Sequence, residues 1–195
     1  MIRLVFIIAL CLAYYASLSQ SKPPAKKVTN TTVKTPKPKK KKKKGNPVTA
    51  FDFLKSGKGK KEIDELDEAM EDFNRAIEIN PEYELAYLAR GKTYFILQEF
   101  DNAMIDFNKT IEITKAKMES ARKRGNVKTI LEDHKGATKE YNRESSLKPV
   151  LAEGLYNLGN VKFFLGDKEG CCADLKKSGE LGYLKAYSYI KKYCQ

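Results

Sequence analysis

Four glycines, Gly57, Gly91, Gly125 and Gly159, recur at a constant period of 34. Twelve residues after each comes a small residue: Ala69, Ala103, Ala137 and Cys171. Four further on stands an apolar one: Phe73, Phe107, Tyr141 and Leu175. Two more apolar columns keep the same register, Ile63, Leu97, Leu131, Leu165 and Ile79, Ile113, Leu147, Leu181. Acids recur at Glu65, Glu99, Asp133, Asp167 and at Asp72, Asp106, Glu140, Asp174. A fixed period of this length marks a stack of similar units, each contacting its neighbours, rather than one closed core.

Within a unit the apolar spacing is helical. Tyr87, Gly91, Tyr94 and Phe95 share one helix face, Gln98 to Asp101 turn the chain, and Ala103, Phe107 and Ile111 follow at i, i+4, i+8. Small residues in the glycine and alanine columns let two helices approach closely, and the aromatics fill the space between units. Pro81 and Pro149 are expected to end the second helix of units one and three. The fold class predicted is all-α, a solenoid of about four helical hairpins.

ELAYLARGKTYFILQEFDNAMIDFNKTIEI and DFNRAIEINPEY, with the Gly, Ala and Pro columns, resemble the tetratricopeptide repeat. The resemblance covers residues 50–185 and implies a right-handed solenoid of units 50–83, 84–117, 118–151 and 152–185. Some segments depart from the pattern. Lys58, Gly59, Lys60 and Lys61 stand where the first helix wants apolar residues, so that helix is expected to be ragged or absent. The third unit's first helix, SARKRGNVKTILEDHKG, is polar, and Lys115 and Tyr183 replace terminal prolines. The closing segment resembles that of secreted bacterial tetratricopeptide proteins. There a final helix, about 184–193 with its end in 186–195, covers the last unit, as a stack requires.

Ahead of the repeats, Arg3, an apolar run from Leu4 to about Tyr15, and the small residues Ala16, Ser17 and Ser19 make residues 1–19 a predicted secretory signal. Cleavage is expected between Ser19 and Gln20; an uncleaved membrane anchor is the alternative. With cleavage, no membrane span remains. Residues 20–49 hold eleven lysines and no acid, including the unbroken run Lys39, Lys40, Lys41, Lys42, Lys43 and Lys44. This Lys-, Pro- and Thr-rich stretch is predicted to be a disordered basic tether able to cling to an anionic lipid, cell-wall polymer or polysaccharide. From residue 50 onward 25 basic residues balance 25 acidic ones. The repeats therefore lack the charge excess of a nucleic-acid-binding fold, and no nucleic acid is expected as partner.

Catalytic sets are not evident. The single histidine, His134, falls in a turn by register, and no phosphate loop, Cys-x-x-Cys or HExxH occurs. No enzyme activity, metal or other cofactor is expected, and the helix acids are read as solubilising i, i+4 partners. Beyond residue 19 three cysteines remain. By register Cys171 faces the core, Cys172 lies beside it, and an antiparallel cap brings Cys194 close. The expected bond is Cys172–Cys194, with Cys171–Cys194 or an all-reduced set as alternatives.

The resemblance further implies a concave groove lined by first helices. Its positions here are Phe51, Leu85, Leu88, Lys92, Phe95, Glu119, Arg122, Asn126, Glu153, Tyr156, Asn157, Asn160 and Phe163. Such a lining suits an extended peptide, because amides bond its backbone and cations hold its carboxylates. One subset of the family grips a C-terminal carboxylate across consecutive units. Arg122, Asn126, Asn157 and Lys191 fall at comparable positions, with Tyr187 where a fifth, basic residue would stand. The expectation is a secreted or periplasmic interaction scaffold for a protein or peptide. Attachment to an anionic surface through the lysine tail is the alternative.

Overall fold

The computed structural model describes residues 48–194; the expected signal and the tether as far as residue 47, with its lysine run, lie outside them. Among the described residues there are seven helices and no strand: α1 Ala50–Glu62, α2 Leu66–Ile79, α3 Glu84–Ile96, α4 Phe100–Ile130, α5 His134–Phe164, α6 Lys168–Glu180 and α7 Lys185–Tyr193. The fold is an all-α helical-hairpin solenoid. No helix among them is long and apolar enough to cross a membrane.

The period sets the turns. The second helices begin at Leu66, Phe100, His134 and Lys168, in step with the glycine column. Each preceding turn carries one residue of positive φ, at Asp64, Gln98, Glu132 and Gly166. Just after it, the N–H of Glu65, Glu99, Asp133 or Asp167 donates to the carbonyl of Lys60, Tyr94, Lys128 or Lys162 at 2.9–3.0 Å. This is the Schellman closure, which satisfies carbonyls that a helix end leaves unpaired. A column of acids thus marks helix starts, and Asp133 and Asp167 also accept the N–H of Gly136 and Gly170 through their side chains. His134 opens α5 rather than sitting in the turn.

The glycine column works by close approach. A Cβ on Gly57 would lie 2.6 Å from Phe73, on Gly91 2.9 Å from Phe107, and on Gly125 2.7 Å from Tyr141. The aromatic sixteen residues later occupies the room a side chain would need. α1 is a complete helix, not a ragged one. Thr49 and Asp52 form a reciprocal capping box at its start, and Lys60 bonds Asp72 of α2 at 2.8 Å. The acid column at Asp72, Asp106, Glu140 and Asp174 is not an i, i+4 solubilising set. Its members pair across each hairpin with Lys60, Arg90, Arg124 and Lys162. Arg90 is bidentate on the buried Asp106 at 2.7 and 2.8 Å and also donates to Asn74 of α2, which ties two units together.

The largest departure from a regular stack is at the third unit. The expected unit boundaries at 117/118 and 151/152 fall inside α4 and α5, each an unbroken helix of 31 residues. Lys115 leaves no proline to stop α4, and the Lys117 ammonium reaches back to the Glu82 carbonyl and the Glu84 carboxylate, both at 2.6 Å. Pro149 does not end a helix but lies within α5. Its missing N–H frees the carbonyl of Ser145, an exposed residue whose carbonyl water can satisfy.

Fusing the helices changes which unit meets which. Leu151, Leu155, Leu158 and Val161 of α5 share a core with Leu88, Ala103, Phe107 and Ile111, so the fourth unit packs on the second. A Cβ on Gly154 would lie 3.3 Å from Ile111. The bond from Thr110 to the Glu84 carbonyl recurs two periods later as that from Ser178 to the Ala152 carbonyl. The reason is polarity. Where the second unit presents Leu85, Leu88, Ala89, Thr110 and Ile111, the third has Glu119, Arg122, Lys123, Glu144 and Ser145. That face cannot receive an apolar helix without stranding charge. The third unit is therefore the outer part of a long α4–α5 hairpin. No residue from 119 to 148 belongs to any of the three hydrophobic clusters.

The C-terminus ends in a short helix. α7 lies against α6 and buries Ala186 with Tyr156, Cys171 and Leu175. Cys172 and Cys194 are bonded, with Cα atoms 5.6 Å apart, and Cys171 is a buried free thiol.

Candidate groove

α1, α3 and the C-terminal half of α5 supply the first helices of the stack, and α7 follows them. Between them is a cavity of about 310 Å³ lined by Lys58, Lys61, Glu62, Leu85, Leu88, Ala89, Lys92 and Glu153. Leu85 and Leu88 provide apolar floor, and Lys92 of α3 bonds Glu153 of α5 at 2.8 Å. The lining thus carries three lysines and two carboxylates, of which Lys92 and Glu153 are paired. Burial, then the neighbouring Lys92 and Lys58 charges, push the Lys61 ammonium below the usual lysine range. A cation in that setting favours any ligand that brings negative charge.

Further along, the groove is aromatic. Tyr156 packs tilted against Tyr183 and edge-on against Tyr189, at 4.9 and 5.4 Å between centroids, and Phe163 meets Tyr193 at 4.4 Å. Burial chiefly, and the neighbouring Tyr189 hydroxyl, push the Tyr156 phenol up to about 12. Asn160, one turn further along α5, works against that rise. Phe95 packs edge-on against Phe100 and Phe164.

The sequence-predicted residues divide accordingly. Leu88 and Lys92 line the lysine cavity, and Tyr156, Asn160 and Phe163 stand at the aromatic end beside α7. Asn157 is half-buried and donates to the Glu153 carbonyl one turn back, while Lys191 is exposed on α7. Arg122 and Asn126 are not with them. Both lie on the outer hairpin, where Asn126 accepts from the Tyr141 hydroxyl at 3.0 Å. Arg122 is eleven residues beyond Ile111, the level at which Gly154 docks, or about 16 Å along α4. The four clamp positions that fall in register are not brought together, because the third unit does not sit between the second and fourth.

Register reasoning missed Lys58, Lys61 and the cap tyrosines Tyr183, Tyr189 and Tyr193. A signal for the lysines was present: the cluster that argued against an apolar first helix is what charges the groove. Among the described residues, no group of three His, Cys, Asp or Glu side chains is placed to hold a metal ion.

Residues 61–98 match the family model described as TPR repeat, and residues 85–117 that described as tetratricopeptide repeat. No curated protein gives a significant match. Solved structures similar to the chain include MamA, at 22% identity over 73% of this chain and 83% of that one, with a TM-score of 0.34. YrrB, described as a TPR protein with an unusual peptide-binding site, shares 16% identity over 75% and 94%, with a TM-score of 0.35. Pseudomonas aeruginosa PilF shares 18% over 68% and 61%, with a TM-score of 0.35.

Proposed function

We propose, from the tetratricopeptide repeats matched over residues 61–117, that this chain is a non-enzymatic scaffold that holds an acidic, extended segment of a protein in its groove, outside the cytoplasm. One observation carries the reading: Lys58, Lys61 and Lys92 line one open cavity beside Leu85 and Leu88, outnumbering its two carboxylates, Glu62 and the Lys92-paired Glu153. An extended peptide lays alternate side chains to one face. A carboxylate among the lysines and an apolar neighbour on Leu88 would satisfy both kinds of lining. The stack then continues past the aromatic wall of Tyr156, Phe163 and the cap tyrosines, whose flat faces favour a peptide backbone or proline. The extracytoplasmic part rests on the signal-like residues 1–19 and on the Cys172–Cys194 bond, since such bonds persist in oxidising compartments.

The test is fluorescence anisotropy with a labelled heptapeptide rich in Asp and Glu, made with free and amidated C-termini. Binding to the intact chain is expected, weakened about tenfold in Lys61→Ala/Lys92→Ala. If only the free-acid form binds, the terminal carboxylate is what the lysines read. Equal affinity for an uncharged peptide of the same length would remove the reading.

A further inference from the structure

The outer α4–α5 hairpin is not used by the groove, and its composition sets it apart. Residues 115–148 hold ten basic and five acidic residues, whereas the rest of the chain from residue 50 holds fifteen basic and twenty acidic. The charge is densest in α4 and its cap, where residues 115–131 carry six basic residues and one acid. At the outer end Val127, Ile130 and Leu131 are 55, 80 and 71% exposed. Val127 and Leu131, with Lys123, Arg124 and Lys128, line an open trough of about 380 Å³ on the outer face of α4. Lys135 follows just beyond the turn. Of the acids nearby, Asp133 is committed to capping α5 through the Gly136 N–H, Glu119 pairs with Lys123 at 2.8 Å, and Glu140 pairs with Arg124 at 2.9 Å and Lys128 at 4.0 Å, which leaves the cations in excess.

We propose that the tip of this hairpin docks on an anionic lipid bilayer, with Ile130, Leu131 and Val127 entering the interface and Lys123, Lys128 and Lys135 on the lipid phosphates. Three features favour this occupant. Like charge disfavours pairing of two such tips. The tip is convex and offers only three large apolar side chains, whereas a stable protein interface buries about 800 Å² on each partner. A few apolar side chains ringed by lysines are, by contrast, what shallow reversible insertion needs. The stems cover apolar surface, the ammonium groups reach outward, and each lysine near an anionic surface adds to the attraction. From the level of Met118, the last residue of α4 packed on the stack, α4 runs twelve more residues to Ile130, or about 18 Å. The tip can therefore meet a flat surface before the stack does.

The experiment is cosedimentation of the intact chain with vesicles of equal parts phosphatidylglycerol and phosphatidylcholine, against pure phosphatidylcholine, comparing it with Ile130→Ser/Leu131→Ser. The two proteins carry identical charge and identical residues 1–47, so the contribution of those residues cancels. Expected are binding to the anionic vesicles that weakens with salt, and about a tenfold lower partition for the double variant. Hydrogen exchange on the wild type should slow at residues 123–135 when anionic vesicles are added. Equal partition of the two proteins, or no binding, overturns the proposal. So does tip protection by soluble polyglutamate that matches that by vesicles, which would assign the tip to an acidic protein. Binding of the acidic heptapeptide in the groove should be the same in both proteins, so this result and that of the groove stand or fall separately.

Discussion

Tyr156 shows how a single side chain records its surroundings. It lies under Tyr183 and Tyr189 of the closing segment, and burial there raises its phenol from the ordinary value near 10 to about 12. A raised acid binds its proton more tightly in the folded chain than in the unfolded one. The associated stability is complete below about pH 10 and is lost as pH rises from there toward 12. Urea melts of the wild type should shift to lower midpoints across that window, and Tyr156→Phe should show a shallower decline. An equally steep decline would place the titrating groups elsewhere; Tyr183 and Tyr83, also raised by burial, leave the variant with a residual slope. Such residue-level features are only partly legible in the sequence. The glycine and aromatic columns announce their contact, because a position with no side chain recurs at a fixed distance from a large one. The acid column is equally visible, but its role is not. Its partners, Arg90 for Asp106 and Lys60 for Asp72, lie across a turn, where neighbour spacing along one helix cannot find them.

Among the elements, α7 depends most on one bond. It has nine residues, buries only Ala186 fully, and is joined to α6 by Cys172–Cys194 across a separation of 22 residues. Closing a loop of that size restricts the unfolded chain by about 3 kcal/mol. Cys172→Ser should lower stability by roughly that amount. Amide exchange should quicken first in residues 185–194. A loss spread evenly over the stack would mean that the cap and the stack unfold as one. The bond is foreseeable because register and antiparallel pairing together put both cysteines at one end of the cap. The fused helices are not, although their cues stand in the sequence. Lys115 lacks the proline of its column, and the third unit's first helix is polar. What periodicity cannot convey is that a unit can keep its turn, its glycine and its aromatic while losing the face on which its successor docks. That loss lies in Glu119, Arg122, Lys123 and Glu144, each unremarkable when read within its own helix.

For the whole molecule, sequence order and stacking order differ: units one, two and four form the stack, and unit three stands outside it. Removing residues 115–148 deletes one period and joins Thr114 to Pro149, recreating the Asn80–Pro81 junction that links units one and two. The shortened chain should fold, melt in one cooperative transition, and lose ellipticity only in proportion to the helix removed. Aggregation, or a broad melt, would show that the stack relies on the outer hairpin for support.

The long hairpin also has a mechanical side. α4 and α5 are antiparallel and meet through Gly125 and Tyr141 near the tip and through Gly154 and Ile111 at the base. Each residue added to one shank alone would turn everything beyond it by about 100° and lose that match. Equal additions to both shanks, in multiples of seven, would leave the facing residues in phase. The hairpin is therefore a mast of adjustable height on a fixed footing. Its reach can change in steps of about 10 Å while the stack below keeps every contact.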